Sequence, residues 1–237
     1  MRAFLYGVSL QWKLDIRSKT LLITCYIVPL LFFVIMSGIF TSVMPEVRYT
    51  LIQSMTVFGV TMGALIGLPP SLVEIYSSDI KKAYKANGVP LCLGLALSNI
   101  SAYIHLFIMS IILYIVAPLA FHVQIPENPS MYFIGLAIFI AVSLSIASII
   151  GLAVKDQAKT SMFSIIIFLP SIMLSGIMFP IDLLPKAFET IGTLFPASWG
   201  YKLMTERVFK FENLLPLLLI FVLAIVMCNI LLRRIDK

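Results

Sequence analysis

The sequence predicts an all-α integral membrane protein with six transmembrane helices. Of its 237 residues, 60% are apolar, and mean hydropathy is +1.04. Only 12% are charged, against about 25% in an ordinary soluble domain. The apolar residues gather in six long runs, and most of the charge lies between them. Such a chain could not cover a soluble surface, which excludes a cytosolic enzyme, a nucleic-acid binder and a disordered protein. The net charge of +6 does not point to nucleic acid, because the bases stand singly or in pairs at the ends of apolar runs, as membrane anchors do.

A helix needs about 20 apolar residues to cross about 30 Å of hydrocarbon. The runs at 20–40, 50–72, 91–121, 131–154, 161–179 and 214–232 meet or approach that length. The first run starts late and no small-residue cleavage site follows it, so no secretory signal is expected. With the N-terminus inside, only Arg48, Lys186, Lys202, Arg207 and Lys210 of the 17 bases fall outside. The positive-inside rule then expects both termini to be cytoplasmic, in a multi-pass protein of the cell membrane.

Three segments are not plain spans. Residues 1–18 read as an amphipathic helix. At about 100° per residue, Phe4, Leu5, Val8, Trp12 and Ile16 share one face, and Arg2, Ser9, Lys13 and Arg17 the other. That pattern lies in the membrane interface, as an anchor or as a lever on the first span. Residues 74–90 hold a short cytoplasmic helix. Ser78 or Asp79 caps it, Asn87-Gly88 and then Pro90 stop it, and Ile80, Ala83, Tyr84 and Asn87 form a stripe. The stripe meets the membrane or a partner's groove, or the segment is a solvated basic loop. Residues 180–213 read as an outer helix pair, too polar to span. Ile181, Leu184, Phe188, Ile191 and Phe195 recur at helical spacing in the first helix, with Pro185 early in it. Pro196 ends that helix, and a second one follows over 197–210.

Within the spans, Gly59, Gly63 and Gly67 form a GxxxGxxxG face that allows close helix approach. Ser143, Ala147 and Gly151 repeat it on the fourth span, and Ser171 and Ser175 on the fifth. These are packing motifs that could also line a substrate path. Pro29, Pro69, Pro70, Pro118 and Pro170 are expected to kink or end their spans. Intramembrane polar residues are few: Gln53, Asn99, His105 and Asn229, with Glu74 at the boundary. His105 is a proton relay or, more simply, hydrogen-bonded to a neighbour. Cys25, Cys92 and Cys228 make no CxxC pair and read as small apolar fillers. No HExxH, no GxSxG elbow and no GxxxxGK[ST] loop occurs, so the chain is expected to be no enzyme by itself and to bind no ATP, cofactor or metal.

The assembled parts resemble the permease subunit of an ABC type-2 exporter over nearly the whole chain. The resemblance rests on the order of the segments and on Glu74 through Val89-Pro90, Ser175-Gly176, Phe179-Pro180, Leu184-Pro185 and Pro196. Many relatives carry an Arg- and Glu-rich run after the second span where this chain has Ile75-Tyr76-Ser77-Ser78. The resemblance implies a dimer with a second, identical or related permease. It also implies two copies of an ABC ATP-binding subunit, which bind the ATP and Mg. Glu74, Tyr76, Ser78, Asp79, Ile80, Ala83, Tyr84 and Asn87 would form the coupling interface with that subunit. The cavity would be lined mostly by the second and fifth spans, and Phe179, Pro180, Leu184, Pro185, Phe188 and Pro196 would form the outer gate. The cargo implied is amphipathic or lipophilic: a drug, a lipid or a peptide. Two other readings stay open: a secondary carrier or channel, and a non-transporting membrane component of an immunity or sensing complex.

Overall fold

The computed structural model describes residues 2–77, 79–178, 184–206, 208 and 210–236. Among these residues the chain is helical, with no strand. Helix α1 spans Arg2–Arg17. Helices α2 (Lys19–Leu22) and α3 (Val28–Val43) flank a π-helical turn at Ile23–Ile27. Helices α4 (Leu51–Met62) and α5 (Leu68–Ser77) flank a second π turn at Gly63–Gly67. Then come α6 (Asp79–Ala86), α7 (Leu91–Phe121), α8 (Pro129–Ala153), α9 (Gln157–Met173), α10 (Lys186–Gly192), α11 (Pro196–Thr205) and α12 (Phe211–Asp236).

Among the described residues, five helices are long and apolar enough to cross a membrane: Ile23–Val43, Leu51–Ser77, Leu91–Phe121, Pro129–Ala153 and Phe211–Asp236. The run expected to cross at 161–179 falls on α9, which has only 17 residues and reaches about 25 Å. The described chain turns at Leu174–Gly176, where Gly176 takes φ +82°, and Phe179 lies outside the described residues.

The expected proline breaks at Pro29, Pro69 and Pro70 do not end their helices. Each π turn finishes just before these prolines. A proline cannot donate to the carbonyl four residues back, and the local change of hydrogen-bond register lets the helix continue. The second rod therefore runs to Ser77, beyond the boundary expected at Leu72.

The Leu51–Ser77 rod is the axis of the bundle. Its most apolar window is 94% buried, against 17% for that of α12. Helix α8 packs on α5, α11 and α12, and α9 packs on α5. Lipid tails are as apolar as Leu, so small residues and interhelical hydrogen bonds select the contacts. A Cβ at Gly151 of α8 would lie 2.8 Å from Leu72 Cβ and 3.1 Å from Pro69 Cα. Thr56 and Tyr132 hydroxyls share a 2.8 Å bond between α4 and α8. The Asn99 amide donates to Ser148 Oγ at 2.9 Å between α7 and α8. Leu31, Ile35 and Ile39 on α3, Ile166 and Leu169 on α9, and Leu219 and Leu223 on α12 point outward, as lipid-facing side chains do.

Candidate functional site

The strongest candidate is the basic end of the bundle, around α6. Asp79 stands at its first turn, where the helix dipole favours an acid, and pairs with Lys82 at 2.8 Å. Asn87 Nδ2 caps the Ala83 carbonyl, and Gly88 turns the chain at φ +63°. Val89 N–H donates to Tyr84 O at 2.9 Å. The helix buries no residue. Ile80 is 39% exposed, and Ala83 and Asn87 are exposed beside it. Tyr84, half-buried, seats its ring on Gly94 of α7, where a Cβ would come within 3.1 Å of Cε2. Lys85 binds both the carboxylate and the carbonyl of Asp236. An apolar stripe is thus presented outward on a helix tied down at both flanks.

Glu74 is exposed at the end of α5, near this stripe in the chain. Tyr76 departs from the expectation of a coupling surface: it is buried and donates to the Leu91 carbonyl at 2.6 Å. It faces inward because it lies on the side of α5 that meets the start of α7, and it closes the loop that α6 occupies. Ser78 lies outside the described residues.

Helix α1 packs along α7, but on a different face from the one expected. Gly7, Val8, Gln11, Trp12 and Asp15 turn inward, while Phe4, Tyr6, Leu10, Leu14 and Ile16 are exposed. The Trp12 ring stacks on His105 with centroids 3.9 Å apart. His105 Nδ1 shares a 2.8 Å hydrogen bond with Tyr26 Oη, so this intramembrane histidine has the hydrogen-bonded neighbour that the simpler reading expects. Asp15, only 6% exposed, accepts from the Ser101 hydroxyl and from Gln11 Nε2 at 2.9 Å. Burial pushes its carboxyl above the ordinary value, against these two hydrogen bonds. The sequence reading missed Asp15. The available signal was that it is the only acid before Glu46, within a helix of bases.

Gly59, Gly63 and Gly67 are buried contacts rather than cavity walls. A Cβ at Gly59 would lie 2.7 Å from Met109 Cε, one at Gly63 would overlap Leu106, and one at Gly67 would lie 3.0 Å from Thr24 Oγ1. The two π turns meet here, with Cys25 Sγ 3.2 Å from the Gly63 position. Ser171 does face open space, a cavity of about 280 Å³ that it shares with Thr61, Ser143, Leu194 and Pro196. The Ser143 and Ser171 hydroxyls have no partner there. Ser175 instead donates to the Ile172 carbonyl at 2.8 Å. Gln53 is buried with its Oε1 unpartnered, while Asn229 is exposed and donates to Ile225 O. Cys25 and Cys228 are buried fillers, but Cys92 is exposed.

At the opposite end the helix pair differs from its expectation. Helix α10 holds only 7 residues. Pro185 precedes it in extended backbone, and Pro196 is the first residue of α11 rather than a terminator. Helix α11 stops at Thr205, short of Lys210. Trp199 Nε1 donates to Thr193 O and Ser198 Oγ to Gly192 O, both at 2.7 Å, which locks α11 to the end of α10. Gly192 fits against the Leu174 carbonyl, and Gly200 against Phe139. Leu184 is half-buried, Pro185 and Phe188 are exposed and Pro196 is buried. Phe179 and Pro180 lie outside the described residues, so the gate residues are not described as a set.

A family model described as ABC-2 type transporter matches residues 2–209, from α1 through α11. No curated protein matches the chain.

Proposed function

The chain belongs to the ABC-2 type transporter family, and on that premise we propose that it is the membrane-spanning permease subunit of an ATP-driven exporter. The permease assignment and the multi-pass character come with the family. The proposal adds the direction, the cargo and the coupling route. Six crossings, with α9 as the fifth, both termini in the cytoplasm and α10–α11 at the outer surface of the cell membrane, form its frame. Two ATP-binding subunits would hold ATP and Mg, and a second permease, identical or related, would complete the path. An amphipathic or lipophilic cargo suits walls that carry few charges.

The observation that carries the proposal is the unburied stripe of α6 at the end of the most buried rod in the bundle. A push on Ile80, Ala83 and Asn87 would pass through Tyr84 to α7, and along α5 to α8 and α9. Helix α1 would move with them, because Asp15 and Trp12 tie it to α7. The family's membrane domain is a transport permease, and on this reading uphill transport draws its energy from the ATP-binding partner. The test is purification of the tagged chain in mild detergent with an ATPase assay. An ATP-binding subunit in about equal amount, with vanadate-sensitive turnover, is the expected result. A chain that purifies alone and without ATPase activity would defeat the proposal.

A further inference from the structure

We propose that the end of the bundle carrying α6 holds a site for one anionic phospholipid, with its phosphate in a basic cleft and an acyl chain in the groove beside it. The inference needs only that the chain spans a membrane, and it stands apart from the transport reading.

The cleft measures about 880 Å³. Lys81, Lys82, Lys85, Lys155 and Arg234 line it. They come from α6, from the segment after α8 and from the end of α12, so the fold gathers bases that are remote in sequence. The acids nearby do not cancel them. Asp79 takes Lys82, and Asp236 takes Lys85. Asp156 accepts the Lys159 N–H at 2.8 Å as the cap of α9 and keeps its charge, but it does not line the cleft. Among the described residues, Lys81, Lys155 and Arg234 have no ion-pair partner. Three uncompensated bases around one cleft at a membrane boundary attract a phosphate-bearing anionic head group over a zwitterionic one.

The neighbouring groove decides between a lipid and a soluble anion. It measures about 360 Å³ and runs between α7, α8 and α12. Leu95, Ala96, Ile100, Leu144, Phe221 and Ile225 form its wall. Three of its polar members, Asn99, Ser145 and Ser148, are already satisfied. Asn99 and Ser148 bond each other, and Ser145 Oγ donates to the Val142 carbonyl at 2.7 Å. Hydrocarbon suits a wall this apolar and leaves those three groups paired as they are. The groove adjoins the cleft along two helices. Ser148 leads to Gly151 on α8, and Cys228 to Leu231 on α12, each a step of three on one helix face. A soluble subunit docked on α6 could cover the cleft but could not reach a groove at bilayer depth.

Native mass spectrometry of the purified full chain, with equal amounts of dioleoyl phosphatidylglycerol and dioleoyl phosphatidylcholine, tests the inference. One retained phosphatidylglycerol, preferred about tenfold or more, is expected. The triple variant Lys81→Gln, Lys155→Gln, Arg234→Gln should lose the preference. Lys13→Gln, Arg17→Gln, Lys19→Gln, with the same charge change on α1 and α2, should keep it. Ala96→Phe should weaken retention with every base in place, which covers the case in which the triple variant does not fold. Equal retention of the two lipids, or equal loss in both triple variants, would overturn the site. Displacement by millimolar glycerol phosphate would make it a soluble-phosphate site instead. Displacement by the ATP-binding subunit would make the cleft that subunit's surface.

Discussion

Asp15 places a carboxylate inside the contact between α1 and α7, and its effect on stability depends on pH. Burial raises its pKa above 3.8 in the folded protein. Below 3.8 the group is protonated whether folded or unfolded, and burial carries no charge penalty. As pH rises through the raised folded value, the native state must hold an ion that the unfolded chain would hydrate, and stability falls. Asp15→Asn removes the ion, keeps Oδ1 as the acceptor for Gln11 and reverses the second bond, with Nδ2 donating to Ser101 Oγ. Its melting temperature should exceed that of the parent at pH 7 and match it near pH 3.8. A lower value at pH 7 would mean that the charged form of Asp15 is the stabilising one. A second residue prediction concerns glycine. Gly151→Ala pushes a Cβ onto Leu72 Cβ and Pro69 Cα, atoms that cannot swing aside, and should destabilise by about 1–3 kcal/mol. Gly38→Ala has nothing within 4 Å and should be neutral or slightly stabilising in a thermal melt. The glycine spacing was legible because small residues every fourth position can only serve one helix face. Asp15 was not, because a helical wheel sorted by hydropathy looks past a polar residue whose partners, Ser101 and Gln11, are supplied by the fold.

At the scale of elements, α6 matched its sequence signals closely. The acid at its start, the Asn-Gly stop and the apolar stripe are local features. Its neighbours matched less well where local signals were ambiguous. The spacing of Leu184, Phe188, Ile191 and Phe195 continues through an extended proline and a turn, so periodicity alone joined segments that the backbone separates. Conversely, Pro29 and Pro69-Pro70 look like breaks, and the π turns carry the helices through them. Tyr76 was misassigned to the surface because its inward direction depends on where α7 begins. With α6 as the coupling element, Ile80→Glu should leave insertion and yield unchanged. It should weaken binding of the ATP-binding subunit by about 1–2 kcal/mol, roughly tenfold, as read by pull-down at graded subunit concentration. Unchanged binding and unchanged ATPase stimulation would remove the stripe from the interface.

The whole molecule is a bundle arranged around one buried rod, with its exposed surface supplied by apolar faces of α3, α9 and α12. Composition and run length alone gave the class and five of the long helices. They could not give which rod is central, because all the runs are apolar on every side and burial is decided by the glycine contacts of α4 and α8. On the proposed coupling route, force from an external ATPase enters at α6 and nowhere near α10–α11. A photo-crosslinking side chain at position 80, compared with one at position 188, tests this in intact cells. The expected result is a crosslink to an ATP-binding protein from position 80 and none from position 188. No ATP-binding partner at position 80, or one captured at position 188, would contradict it.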